Sequence, residues 1–147
     1  MGGTFRPQIV HRNRISAGLH RVETESCHVM GILNVTPDSF HEESRKSTLE
    51  SAVKAGVRMW QQGATWVDVG GESTRPNADT VSVAEELERV IPVIEALRAA
   101  NPEGLISIDT RRPLVAQAAL DAGADLINDV SGLRDPEMVN IVLNSGC

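Results

Sequence analysis

The 147-residue sequence has no tyrosine, two phenylalanines and two tryptophans. With so few aromatic rings it offers no platform for stacking nucleobases. Basic excess is missing too: 14 lysines and arginines against 20 acids give a net charge of −6, with no electrostatic footprint for nucleic acid. The acids fall mainly on predicted helices, where a solvated surface is the default expectation. Cysteine is limited to Cys27 and Cys147, which form no C-x-x-C pair and no metal spacing; this usage favours a reducing cytoplasm. No apolar run approaches the ~20 residues of a membrane span, and the first residues lack the apolar core of a signal peptide. What is left is 41% hydrophobic and 23% charged, ordinary for a globular chain with one core.

The most telling stretch is Met30-Gly31-Ile32-Leu33-Asn34-Val35-Thr36-Pro37-Asp38-Ser39-Phe40. Val29 to Leu33 is apolar without alternation, as in a strand covered on both faces. Pro37 cannot donate to a ladder and disfavours helix at Thr36, so pairing should end near Asn34. Asn34, Thr36, Asp38 and Ser39 then crowd oxygens at the strand's C-terminal end, where parallel α/β folds bind ligands. Asn34 and Asp38 would equally serve a turn through Asx hydrogen bonds.

Elsewhere, residues 1–26 show no sustained period and read as an arm or short hairpin. Ser47-Thr48-Leu49-Glu50 matches a capping box opening a helix that ends near Gln62-Gly63. Thr65 to Val69 is a β-branched strand closed by Gly70-Gly71. Ser82-Val83-Ala84-Glu85 is a second capping box, before a helix that Pro92 is expected to kink or split. Leu105 to Ile108 is a third strand, followed by a helix from Val115 to Gly123. Asp125 to Ile127 is a fourth, and Asp135-Pro136 pairs an N-cap with a first helical position for a helix ending at Gly146.

Four strands alternating with four helices predict a parallel sheet with right-handed crossovers. Gly63-Ala64-Thr65-Trp66-Val67-Asp68-Val69 echoes Gly123-Ala124-Asp125-Leu126-Ile127-Asn128-Asp129, a recurrence two units apart that suits a (β/α)8 TIM barrel. Such a barrel needs about 250 residues, so residues 27–147 read as its N-terminal half, the first four β-α units. A flavodoxin-like sheet stays open at this point. Every strand has a polar tip: Asn34; Asp68, then Glu72-Ser73-Thr74-Arg75-Pro76; Asp109-Thr110-Arg111; and Asn128-Asp129. Each has a plainer reading. Asp109-Thr110 could cap the next helix, Asp68 could be a structural anion, and Arg75 an exposed loop charge. Their coincidence on one face is the functional signal.

Three blocks, MGILNVTPDSF from Met30, GATWVDVGGESTRPNA from Gly63 and SIDTRRPLVAQAALDAGADLINDVSGL from Ser107, resemble the dihydropteroate synthase family of pterin-binding TIM barrels. The resemblance implies condensation of p-aminobenzoate with dihydropterin diphosphate in folate biosynthesis, releasing pyrophosphate with Mg²⁺ assistance. It implies that Asn34 contacts the metal and pyrophosphate, an amide oxygen being a hard neutral ligand suited to Mg²⁺. Thr74, Arg75 and Pro76 would bind p-aminobenzoate and the leaving pyrophosphate, and Asp109 and Asn128 the pterin, with Asp68 beside them. Asn34, Thr74, Arg75 and Asp109 are thus the expected catalytic set. Thr36, Pro37, Asp38 and Phe40 match a first loop that closes over the site. The family's habit implies a homodimer when full length.

The chain departs from the family where two glycines follow an aspartate after Phe40; it reads His41-Glu42-Glu43-Ser44, which should stiffen the loop or change its closure. The family's second-half motifs lie beyond Cys147, so the 147-mer alone is expected to be inactive. Other readings are a catalytically silent paralogue, a pterin-binding methyltransferase domain, and a non-enzymatic half-barrel that dimerises through its open edge.

Overall fold

The computed structural model describes residues 27–35, 42–72 and 81–147. The expected arm over 1–26 and both expected binding loops (Thr36, Pro37, Asp38 and Phe40; Thr74, Arg75 and Pro76) lie outside the described residues. Among the described residues eight elements alternate: β1 (Met30–Asn34), α1 (Glu42–Gln61), β2 (Trp66–Gly70), α2 (Val83–Ala100), β3 (Leu105–Asp109), α3 (Pro113–Ala122), β4 (Leu126–Asn128) and α4 (Pro136–Ser145).

The strands pair in parallel in the order β1-β2-β3-β4. This order decides between the two architectures. A flavodoxin-like sheet puts β1 between β2 and β3, which then never touch, whereas here Trp66–Gly70 pairs with Leu105–Asp109 along its whole length. Sequential parallel neighbours form a barrel wall.

Alternation along the strands separates two faces. Leu33, Val67, Val69, Ile106 and Ile108 join Ala52 of α1, Val90, Val93, Ile94 and Leu97 of α2, and Val115 and Ala119 of α3 in one buried cluster. The other face carries two register rows: Ile32, Asp68, Ser107 and Leu126, and above it Asn34, Gly70, Asp109 and Asn128. Ile32 is 65% exposed, which corrects the expectation that β1 is covered on both faces. Helices α1, α2 and α3 pack against the first of these faces.

Two helix expectations also change. Helix α1 begins at Glu42, five residues before Ser47, so the expected capping box lies inside it. Glu42 to Lys46 holds good helix formers, and the helix extends through them. Helix α2 runs unbroken from Val83 to Ala100 across Pro92. Pro92 and Glu88, whose carbonyl loses its partner to the proline, both sit on the exposed face, where water can satisfy it. Its start is as expected: Ser82 Oγ accepts from the Glu85 N–H and the Glu85 carboxylate accepts from the Ser82 N–H.

The sequence echo is structural. Gly63 and Gly123 adopt φ of +100° and +113°, and the N–H of Ala64 and of Ala124 reach back to the carbonyls of Met59 and Ala119. Both helices therefore end in the same left-handed glycine closure. At that end of the sheet Arg98 of α2 donates to the carbonyls of Pro102, Gly104 and Gly123 and pairs with Asp125 at 2.5 Å. Asp125 in turn accepts the Ile106 N–H at 2.9 Å. Removing the guanidinium strands these partly buried acceptors, so Arg98→Ala is expected to cost about 3 kcal/mol of stability. Urea denaturation checks this; an unchanged midpoint would show that water replaces the guanidinium without penalty.

Candidate substrate-binding site

Parallel pairing without slippage brings Asn34, Gly70, Asp109 and Asn128 side by side at the C-terminal ends of four strands. Three of the expected site residues, 94 positions apart at the extremes, thus share one row on the face away from the helices. Asp68 is not at a tip, as the sequence reading had it, but in the middle of β2, because the strand continues to Gly70. It lies one row lower and 3% exposed.

Asp68 and Asn128, the two positions matched by the sequence echo, meet: Asn128 Nδ2 donates to Asp68 Oδ2 at 2.9 Å, passing over β3. The bond fixes the Asn128 amide and leaves its Oδ1 as an acceptor. Asp68 Oδ1 and the Oγ of Ser107, which neighbours Asp68 in its row, are buried with no hydrogen-bond partner. Buried polar atoms of this kind cost free energy unless something pairs them, and both sit on the face opposite the one that α1, α2 and α3 cover. Ser107 escaped the sequence reading. The signal was a lone hydroxyl in the middle of an apolar strand, Leu105-Ile106-Ser107-Ile108.

Asp109 is half-buried, and its carboxyl is pushed up from 3.8 to about 6. Desolvation is the main cause, followed by the negative charges of Asp68, Glu86, Asp129 and Glu72. It does not cap α3, whose N-cap is Arg112, without any side-chain cap bond. Thr110 turns inward at 4% exposure and accepts the Arg112 N–H. Asp129 is committed to its own turn, taking the N–H groups of Ser131 and Leu133 and the Ser131 hydroxyl. Of the tip acids, Asp109 is the one held at the surface of the row.

Gly70 leaves a gap between its neighbours. A Cβ there would stand 3.5 Å from Asp109 Oδ2 and 3.8 Å from Asn34 Oδ1, in ordinary contact with both. Among the described residues no group of three or more His, Cys, Asp or Glu could hold a metal ion. Mg²⁺ does not require one: it keeps several waters and binds through one or two protein oxygens plus substrate phosphates. The Asn34 amide oxygen beside the Gly70 gap fits that partial role. A concavity of 270 Å³ beside β4 shares Leu126, Asn128 and Asp129 with this region, its other walls being Ile127, Leu133, Val142 and Cys147.

Sequence reading also missed Glu86, expected on a solvated helix face. It is 1% exposed and paired with Arg112. Helical spacing does mark position 86, four residues before buried Val90, as inward; its charge hid that.

The model of the family described as "Pterin binding enzyme" matches residues 30–147. The chain belongs to this family. It is similar to a probable bifunctional folylpolyglutamate synthase/dihydropteroate synthase of Halobacterium salinarum, 57% identical over 116 residues, 79% of this chain and 14% of that protein. It is also 50% identical to the Escherichia coli dihydropteroate synthase over 119 residues, 81% of this chain and 42% of that protein. The Xanthomonas albilineans dihydropteroate synthase, solved with 4-aminobenzoic acid, superposes with a TM-score of 0.73 at 50% identity, covering 82% of this chain and 44% of that one. The chain thus spans under half the length of these relatives. Its four β-α units correspond to part of their TIM barrels.

Proposed function

We propose that these residues are the first four β-α units of a dihydropteroate synthase, which joins p-aminobenzoate to 6-hydroxymethyl-7,8-dihydropterin diphosphate, giving 7,8-dihydropteroate and pyrophosphate. The observation that carries the reading is the row of Asn34, Asp109 and Asn128, with Asp68 holding the Asn128 amide beneath it. An aminopyrimidinone edge presents adjacent N–H donors and acceptors, which a carboxylate and an oriented amide can match. The arylamine bound to the Xanthomonas protein supports the second substrate.

In this reading the C–O bond to the diphosphate breaks, leaving a pterin-methylene cation. The arylamine nitrogen attacks that carbon and then loses a proton. No protein nucleophile is needed. Asp109 and Asn128 hold the pterin, with the Asn128 amide oriented by its bond to Asp68. Thr74, Arg75 and Pro76 take the leaving anion and the carboxylate of p-aminobenzoate, while Thr36, Pro37, Asp38 and Phe40 exclude water. Mg²⁺, when bound, offsets diphosphate charge, and Asn34 is the residue that would hold it. The same proposal includes a cytoplasmic homodimer, in keeping with two unpaired cysteines and with Leu114 and Leu143 exposed on α3 and α4.

The test follows labelled p-aminobenzoate into dihydropteroate, with Mg²⁺, on the 147-residue chain beside the full-length product of its gene. Activity only in the longer protein is expected; parent-level turnover by the 147-mer would refute the half-site reading. One observation favours a second reading, the silent paralogue: Glu42 to Ser44, where the chain departs from the family pattern, are helical backbone in α1. A folded but inactive full-length protein would establish that reading.

A further inference from the structure

Helix α3 starts with an unusual residue. N-cap positions favour Ser, Thr, Asp or Asn, whose side chains accept a helix N–H, yet Arg112 makes no side-chain cap bond. Its guanidinium reaches away from α3. Nη1 donates to Glu86 of α2, and Nη2 donates to the carbonyl of Val81 and lies 3.4 Å from Glu72 Oε1. Glu72 Oε1 also accepts the Val81 N–H at 3.4 Å and faces Arg111 at 3.5 Å. Residues 72 and 81 flank the β2–α2 connection, so one side chain holds both of its ends.

The surroundings leave little slack. The Arg112, Glu72 and Glu86 side chains are 18%, 15% and 1% exposed, so the charges are tolerated only as partners. Arg89 donates to the Gly71 carbonyl at 2.8 Å. A Cβ on Gly71 would come within 2.8 Å of Val90 and 3.1 Å of Glu86, so the end of β2 is pressed onto α2. Three residues before Arg112 stands Asp109.

We propose that Arg112 is a positioning residue for the substrate site: its fork clamps Glu72 and Val81 to Glu86 and to the tip of β3, so that both ends of the β2–α2 connection keep one placement relative to Asp109. For its kinetic part the inference rests on the synthase reading above. Lysine cannot replace the fork, because a single ammonium does not span three divergent acceptors in fixed geometry.

The test uses the full-length protein with Arg112→Met, Arg112→Lys and the paired variant Glu86→Gln/Arg112→Gln, which removes the buried charge together with its partner and so guards against simple unfolding. Hydrogen exchange at the Val81 and Ser82 amides is expected to quicken about tenfold or more in the folded variants, with Val69 and Ile108 unchanged. In the condensation assay kcat/KM is expected to fall about 30-fold, chiefly through KM for p-aminobenzoate, as for a site displaced by under 1 Å. Arg112→Lys should recover only a small part. Unchanged exchange at Val81 and Ser82, or unchanged kcat/KM in a variant whose exchange has quickened, would overturn the proposal. A parent protein that makes no dihydropteroate overturns the synthase reading instead, and the exchange result then decides the clamp.

Discussion

Asp109→Asn in the full-length protein is expected to lower dihydropteroate formation by about a hundredfold or more while making the fold more stable at neutral pH. The loss follows from the acceptor chemistry: hydrogen bonds to a charged group contribute about 1.5–3 kcal/mol each, and an amide keeps only one of the two acceptor oxygens. The gain follows from the environment. Desolvation first, and then the negative charges of Asp68, Glu86, Asp129 and Glu72, push the Asp109 carboxyl to about 6. Its folded value lies above the unfolded one, so between pH 4 and 6 the native state binds more protons than the unfolded chain. Stability from this group is therefore present at low pH and lost as pH rises through about 6. Asparagine removes that loss. Thermal denaturation should show Asp109→Asn above the parent at pH 7.5 and level with it at pH 4.

In the proposed synthase the same titration is expected to set the acid limb of pterin binding. Only the ionised carboxylate offers two acceptors, so affinity should be full above pH 7 and decline below about 6, where an ordinary aspartate would still be charged. Calorimetric titration with a pterin across pH 5 to 8 measures this. A limb near pH 4, or one that persists in Asp109→Asn, would remove Asp109 from the pterin contact.

Gly70→Val is expected to be the other severe change, by a different route. The Cβ itself is accommodated at 3.5 Å from Asp109 and 3.8 Å from Asn34, so Gly70→Ala should fold and retain much of its activity. The two γ-methyl groups of valine must enter the gap between the carboxylate and the amide. β-branched residues suit strands, so the fold should survive; the ligand should not fit, and a displacement near 1 Å at a reacting centre costs about a hundredfold. Steady-state kinetics beside circular dichroism separate the two effects. Equal activity of Gly70→Val and parent would show that substrate lies clear of this gap.

The decision between architectures shows where sequence reasoning stopped. Apolar and β-branched runs, helical spacing and capping signals pointed to all eight elements of the described residues, because burial and helix ends leave local marks in the chain itself. It could not choose between a barrel wall and a flavodoxin-like sheet, since strand order is a long-range property; the β2–β3 pairing decided it. Pattern reading also erred where local and tertiary effects compete. Ile32 is exposed although it stands in an apolar run, and Glu42 to Lys46 extended α1 past a good capping box because their propensity favours helix.

The site divides in the same way. Asn34, Asp109 and Asn128 were legible in the chain because a polar residue ending an apolar strand is a local signal, and the quoted blocks name their family. What they do together was not legible. Parallel register alone sets the three in one row, a bond across 60 residues orients Asn128 on Asp68, and desolvation with four neighbouring acids raises Asp109. Glu86 and Arg112 look like surface charges in sequence; Glu86 becomes buried and paired with the partly buried Arg112 only when α2 and the start of α3 meet. Residue identity and local period are written along the chain; register, burial and the field of distant charges exist only once the strands are side by side.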